Sequence, residues 1–141
     1  MTSSELTGHC LCGAMTYRLQ GEPIMTAMCH CDDCQRQSGA AFSVNVIADR
    51  AAFHMEGATL ATYTTVGTDT GQERERQFCA ACGSPLVTLL AEAPQWTIIK
   101  AGTLDDRSAL APGLEVWCDS AQSWVAGSES ERGQFPRGLP G

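Results

Sequence analysis

Positive charge is scarce in this chain. Lys and Arg together number 9 against 16 Asp and Glu, which gives a formal net charge of −7 and a pI near 4.8. A protein that grips nucleic acid needs a basic face to meet the phosphates, so that class of partner is disfavoured. Aromatic residues are also few, at 6%, and the core is expected to be built from Val, Leu, Ile and Ala. Long apolar runs are missing: no stretch reaches the roughly 18 residues a membrane span requires, so no membrane association is expected. Met1–Glu5 offers neither the basic nor the apolar part of a secretory leader, and the expected location is the cytoplasm. At 141 residues the chain is most simply one domain with a substantial core.

Cysteine is what the chain has in quantity, eight in all. Seven of them cluster, as Cys10-Leu11-Cys12, as Cys29-His30-Cys31-Asp32-Asp33-Cys34 and as Cys79-Ala80-Ala81-Cys82, and Cys118 stands alone. In a reducing compartment such spacing points to metal ligation rather than to a disulfide framework. The CxxC pair alone would suit a redox motif of the thioredoxin kind, but that needs a βαβ context absent here. Iron–sulfur ligation is the chemical rival, and these spacings match none of the ferredoxin runs. Zinc, which accepts thiolates in tetrahedral geometry, is the expected metal.

Short alternating segments dominate the rest. Strands are expected at Ala14–Leu19, Ile24–Cys29, Ala41–Ile47, Phe53–Glu56, Leu60–Thr65, Glu73–Phe78, Pro85–Leu90, Trp96–Lys100 and Leu114–Cys118, separated by Gly and Pro signals. One short helix is expected over Asp32–Gly39, with an acidic start, a terminal glycine and Cys34 in its first turn, where backbone N–H groups favour a thiolate. The fold class is therefore all-β. Residues 1–126 form the zinc-binding domain. Residues 127–141, rich in Gly, Ser, Glu and Pro, form either a disordered tail or an arm draped over it.

The clustered cysteines divide naturally into four plus three. Gly8–Gly13 reads as a tight turn leading into a strand, and Cys10 and Cys12, taken as i and i+2 on an extended segment, point to one side and with Cys79 and Cys82 would close a structural site. Gly83 suits the tight turn of a zinc knuckle. Cys29, Cys31 and Cys34 would leave a fourth position open. The alternative is that Cys29 or Cys34 joins Cys79 and Cys82. His30 points away from its cysteine neighbours on an extended segment and is assigned a core or surface role, and Cys118 is read as a small buried hydrophobe. An open zinc position accepts a small-molecule thiol, and Arg36, Arg74, Arg76 and Lys100 are candidate partners for that ligand's carboxylates.

The segments Gly8–Ala14, Cys29–Ala40, Phe78–Ser84 and Ala101–Asp106 together resemble the glutathione-dependent formaldehyde-activating enzyme family, which includes centromere protein V. The resemblance runs from about Gly8 to Trp124. It implies an all-β, Mss4-like (β-tent) arrangement of small antiparallel sheets and two zinc ions per chain. Cys10, Cys12, Cys79 and Cys82 would hold a structural zinc, and Cys29, Cys31 and Cys34 a catalytic one. It further implies carbon–sulfur lyase activity joining formaldehyde to glutathione, with glutathione able to displace Cys31, and Arg36 contacting the ligand. Two positions depart from the family pattern: Gln35 replaces the first of two common arginines, and Glu115 stands where a histidine is common. Asp32 and Asp33 are the titratable groups nearest the triple in sequence. Chromatin binding by analogy with centromere protein V is disfavoured by the negative charge.

Overall fold

A computed structural model describes residues 5–108, 110–125 and 132–138. In chain order the elements are β1 (Glu5–His9), β2 (Thr16–Gln20), β3 (Met25–Cys29), α1 (Asp32–Ser38), β4 (Ser43–Asp49), β5 (Phe53–Glu56), β6 (Leu60–Val66), β7 (Glu73–Cys79), β8 (Pro85–Leu90), β9 (Trp96–Lys100), β10 (Leu114–Val116) and β11 (Gly133–Gln134), with short 3-10 turns between some of them. The chain is all-β with one short α-helix, the Mss4-like class. No helix among the described residues is long and apolar enough to cross a membrane.

The strands form two sheets. The smaller is antiparallel, in the order β1-β2-β5, and the larger runs β11-β10-β3-β4-β9-β8-β7-β6. Most of the larger sheet is antiparallel, but β10 runs parallel to both β3 and β11. Alternation along the central strands assigns each face its task. Val46, Ala48, Val87 and Ile99 pack with Tyr17 and Leu19 of the small sheet into the main core. The intervening residues Asn45, Ile47, Thr88, Ile98 and Lys100 face the other way and line a cavity. A period of two thus separates structural from site residues within the same strands.

Two expected elements differ. The segment from Cys10 to Gly13 is the tight turn expected, closed by the Gly13 amide donating to the Cys10 carbonyl at 3.0 Å, but the two cysteines are not on an extended segment. The strand expected over Leu114–Cys118 stops at Val116, because Trp117 adopts a left-handed backbone (φ 58°) and Cys118 begins a 3-10 turn. Residues 132–138 lie within the fold: Gly133 and Gln134 pair with Leu114 and Glu115, and the amides of Trp117, Cys118 and Asp119 donate to the carbonyls of Arg137, Phe135 and Pro136. Residues 127–131 and 139–141, the remainder of the expected tail or arm, lie outside the described residues, as does residue 126.

Candidate metal centres

The fold assembles two groups of sulfurs. Cys10, Cys12, Cys79 and Cys82 bring their Sγ atoms within 4.8 Å of one another, and Cys29, Cys31 and Cys34 do the same elsewhere. The alternative in which Cys29 or Cys34 joins Cys79 and Cys82 is not the arrangement adopted.

The four-sulfur group is built on two facing turns. The Cys10 turn is matched by one at Cys79–Gly83, where the Gly83 amide donates to the Cys79 carbonyl at 2.7 Å. Gly83 takes φ 81°, a conformation that side chains resist. The Sγ of Cys10 lies 3.6 Å from that of Cys12, which lies 3.8 Å from that of Cys79. Zinc–sulfur bonds of roughly 2.3 Å in a tetrahedron set their sulfurs roughly 3.8 Å apart, so the spacing fits. Second contacts prepare the sulfurs as thiolates. The Ser84 hydroxyl, 3.2 Å from the Cys82 sulfur, joins backbone amides in holding that thiol down to about 5. The Thr59 hydroxyl, 3.2 Å from Cys79, shifts Cys79 downward in the same way. The Met15 amide donates to Cys10 at 3.3 Å.

The three-sulfur group sits where β3 gives way to α1. Cys29 ends the strand, Cys31 is the helix N-cap, and Cys34 lies in the first turn. The Cys34 amide donates to the Cys31 sulfur at 3.3 Å, so the helix end favours negative charge on Cys31 as well as on Cys34. Gly39, with φ 70°, closes the helix after Ser38. Cys34 is drawn down to about 2, first by hydrogen bonds from the Cys29 and Cys31 sulfurs and further by the Lys100 charge and Ser43. Cys29 is pushed upward by those same neighbouring sulfurs and by burial. The three therefore share negative charge unevenly, and a soft cation would relieve it.

All three sulfurs open onto a cavity of about 280 Å³, whereas none of Cys10, Cys12, Cys79 and Cys82 lines it. Lys100 and Arg76 also line it. Both are buried, and neither makes an ion pair with a carboxylate among the described residues. Lys100 donates to Asn45 Oδ1 at 3.1 Å, and burial depresses its pKa while the Cys34 charge opposes that shift. Arg74 lines the same cavity but pairs with Glu92. Arg36 is not brought there. It is exposed on the opposite side of α1, in a shallow groove with Gln122 and Trp124. A seven-residue helix turns each side chain about 100° from the last, and Cys34 and Arg36 two positions apart face different ways. Of the nearby acids, Asp33 accepts from the Thr68 amide and hydroxyl at 2.9 and 2.8 Å, and Asp32 is exposed.

His30 is fully buried, and its Nε2 lies 2.8 Å from Glu115 Oε1, while its Nδ1 has no hydrogen-bond partner among the described residues. Cys118 is half-buried and close enough to this pair for the three to count as a possible ligand set, so it is not the fully buried hydrophobe expected. The two departures from the family pattern both buttress the His30 segment. Glu115 meets the imidazole, and Gln35 Nε2 donates to the His30 carbonyl at 2.7 Å and to the Ser120 carbonyl at 3.0 Å. Sequence reasoning passed over this pairing, although a charged residue inside the apolar run of β10 was a visible sign of a buried partner.

A crystal structure of a Rhodobacter sphaeroides protein is similar in fold, with a TM-score of 0.57 and 22% identity over 75% of this chain and 91% of that one. No curated protein matches. The sequence model described as glutathione-dependent formaldehyde-activating enzyme matches residues 5–120, and the chain belongs to that family.

Proposed function

We propose that this protein is a zinc enzyme that makes and breaks the carbon–sulfur bond of a small thiol adduct, with glutathione and formaldehyde, giving S-hydroxymethylglutathione, as the family's reference pair. The observation that carries the reading is the contrast in access: three sulfurs open onto a cavity holding two buried cations, and four sulfurs do not. Cys10, Cys12, Cys79 and Cys82 would hold a structural zinc, and Cys29, Cys31 and Cys34 a second one with a free position. When bound there, zinc supplies a soft positive charge that keeps a ligand thiol deprotonated at neutral pH.

The chain's own residues supply the rest. Cys29 and Cys34 are buried and Cys31 is half-buried, which makes Cys31 the sulfur that an incoming thiol replaces most readily. In the forward direction the ligand's sulfur adds to the carbonyl carbon, the carbon–oxygen π pair moves onto oxygen, and a proton from solvent completes the hydroxyl. In reverse the carbon–sulfur pair returns to sulfur. The Lys100 ammonium, steadied by Asn45, is the group placed to meet charge developing on that oxygen, and Arg76 is free to meet a ligand carboxylate. The reading is tested by measuring zinc per chain and, on the same sample, the exchange rate between glutathione plus formaldehyde and S-hydroxymethylglutathione by NMR. Two zinc ions per chain and a rate above the unaided reaction are expected. Tight binding of glutathione with no acceleration would replace the enzyme with a thiol-binding carrier module.

A further inference from the structure

The cavity is lined in part by an apolar stretch, Met25, Ala27, Ile47, Trp96 and Ile98, for which neither glutathione nor a one-carbon partner has a matching group. Strand register orders its floor in rows leading away from the sulfurs. Cys29 lies opposite Ser43; one step on, Ala27, Asn45 and Lys100 lie side by side; one step further, Met25, Ile47 and Ile98 do the same. Trp96 follows Ile98 on the same face of β9 and also lines the cavity. Same-face residues of a strand are about 7 Å apart, so the floor extends roughly two such steps beyond the sulfurs.

Ala27, Ile47 and Ile98 are buried and form an apolar cluster separate from the main core, with Met25 and Trp96 packed against it. The cluster thus borders the cavity. A hydroxymethyl group offers one carbon to such a floor. Glutathione carries no apolar side chain, and laying its carboxylates, ammonium or amides on Ile47 and Ile98 would strip them of water without giving hydrogen bonds in return.

We infer that the ligand of this site is a thiol, or its carbonyl adduct, bearing a carboxylate and a branched aliphatic or aromatic group, the carboxylate held by Arg76, which register sets in the row of Thr88, Ile98 and Ile47, and the apolar group lying on Ile47 and Ile98 beside Trp96. This rests on the three-sulfur group being a thiol site, and it replaces the one-carbon adduct with a bulkier one.

Two probes that differ only in the apolar group test it: 3-mercaptopropionate and 2-benzyl-3-mercaptopropionate, titrated calorimetrically into the protein purified with its metal. The benzyl compound is expected to bind at least about tenfold more tightly, given the apolar area it would bury. The ratio of the two affinities should fall below about threefold in Trp96→Ala and in Ile98→Thr. Trp96 is the rim residue and keeps the test open if Ile98→Thr fails to fold. Equal affinities in the unaltered protein overturn the inference while leaving the thiol site standing. Failure of both probes to bind overturns the thiol site and the inference together. A benzyl preference accompanied by no turnover of any adduct supports the inference and removes the lyase reading. A preference that survives both substitutions places the apolar group elsewhere and overturns it.

Discussion

The two sulfur clusters are built from the same residue type, and they differ in what surrounds them. The four-sulfur group is held between two turns, one near the start and one past the middle of the chain, its sulfurs met by Ser84, Thr59 and backbone amides. The three-sulfur group is held on a strand end and a helix start, met by a buried lysine, and open to a cavity. On the proposed assignment, a closed shell of ligands would fasten the chain, and an incomplete one, beside cations with no carboxylate partner among the described residues, would leave a position for a ligand.

The sharpest way to break this comparison is to damage each cluster in turn. Cys82→Ser should remove the cooperative unfolding transition or cost roughly 3 kcal/mol or more, because metal binding at a closed site is coupled to folding. Cys31→Ser should cost less than about 1 kcal/mol, since serine is itself a good helix N-cap and can replace the sulfur as acceptor for the Cys34 amide. Denaturant melts of both variants check this, and equal losses would erase the distinction between fastening and working sites.

A second test isolates the cations. Lys100→Met keeps the side chain's length and removes its charge. It should lower kcat/KM by about a hundredfold, while thermal stability holds or rises because a buried charge with no carboxylate partner among the described residues is relieved. A parallel fall in stability and activity would mean that Lys100 supports the fold.

The smallest expected effect concerns Glu115. Burial alone would raise this carboxyl, but hydrogen bonds from His30, Gln134 and Arg132 outweigh it and hold the pKa below the usual 4.5. A depressed carboxyl stabilises the fold fully above its unfolded value and loses that contribution as pH falls through the folded one. Glu115→Gln should therefore cost about 1–3 kcal/mol at neutral pH, with the gap to the unaltered protein closing below about pH 4.5. Chemical denaturation across pH 3 to 7 reads both.

Local pattern carried much of this in the sequence. Phe53–Glu56, Pro85–Leu90 and Trp96–Lys100 fold as strands with the bounds that alternation suggests, and the helix starts and stops where its acids and Gly39 indicate. The cysteine spacing also anticipated the two groupings. What local pattern could not show was placement by distant partners. Arg36 is nearest the triple in sequence, yet Lys100 and Arg76 reach the cavity, because sheet order sets β9 beside β4 and β7 beside β8. β11 has no alternating apolar pattern of its own and exists through its pairing with β10. The reversal at Trp117, a non-glycine residue with positive φ, carries no sequence signal and rests on the contacts of the 132–138 segment, including Arg137 stacked over its ring at 4.7 Å.

The separation of the two clusters along the chain also sets an order of events during synthesis. Cys29, Cys31 and Cys34 emerge from the ribosome within six residues of one another, whereas Cys10 and Cys12 must wait for Cys79 and Cys82. A nascent chain can therefore capture metal at the short-range site first and close the long loop only near the end of translation. Closing that loop carries an entropic cost that grows slowly with its length, and two turns already shaped to present their sulfurs reduce what the metal itself must organise. On the assignment proposed above, the three-cysteine site can be loaded while the four-cysteine site is still open.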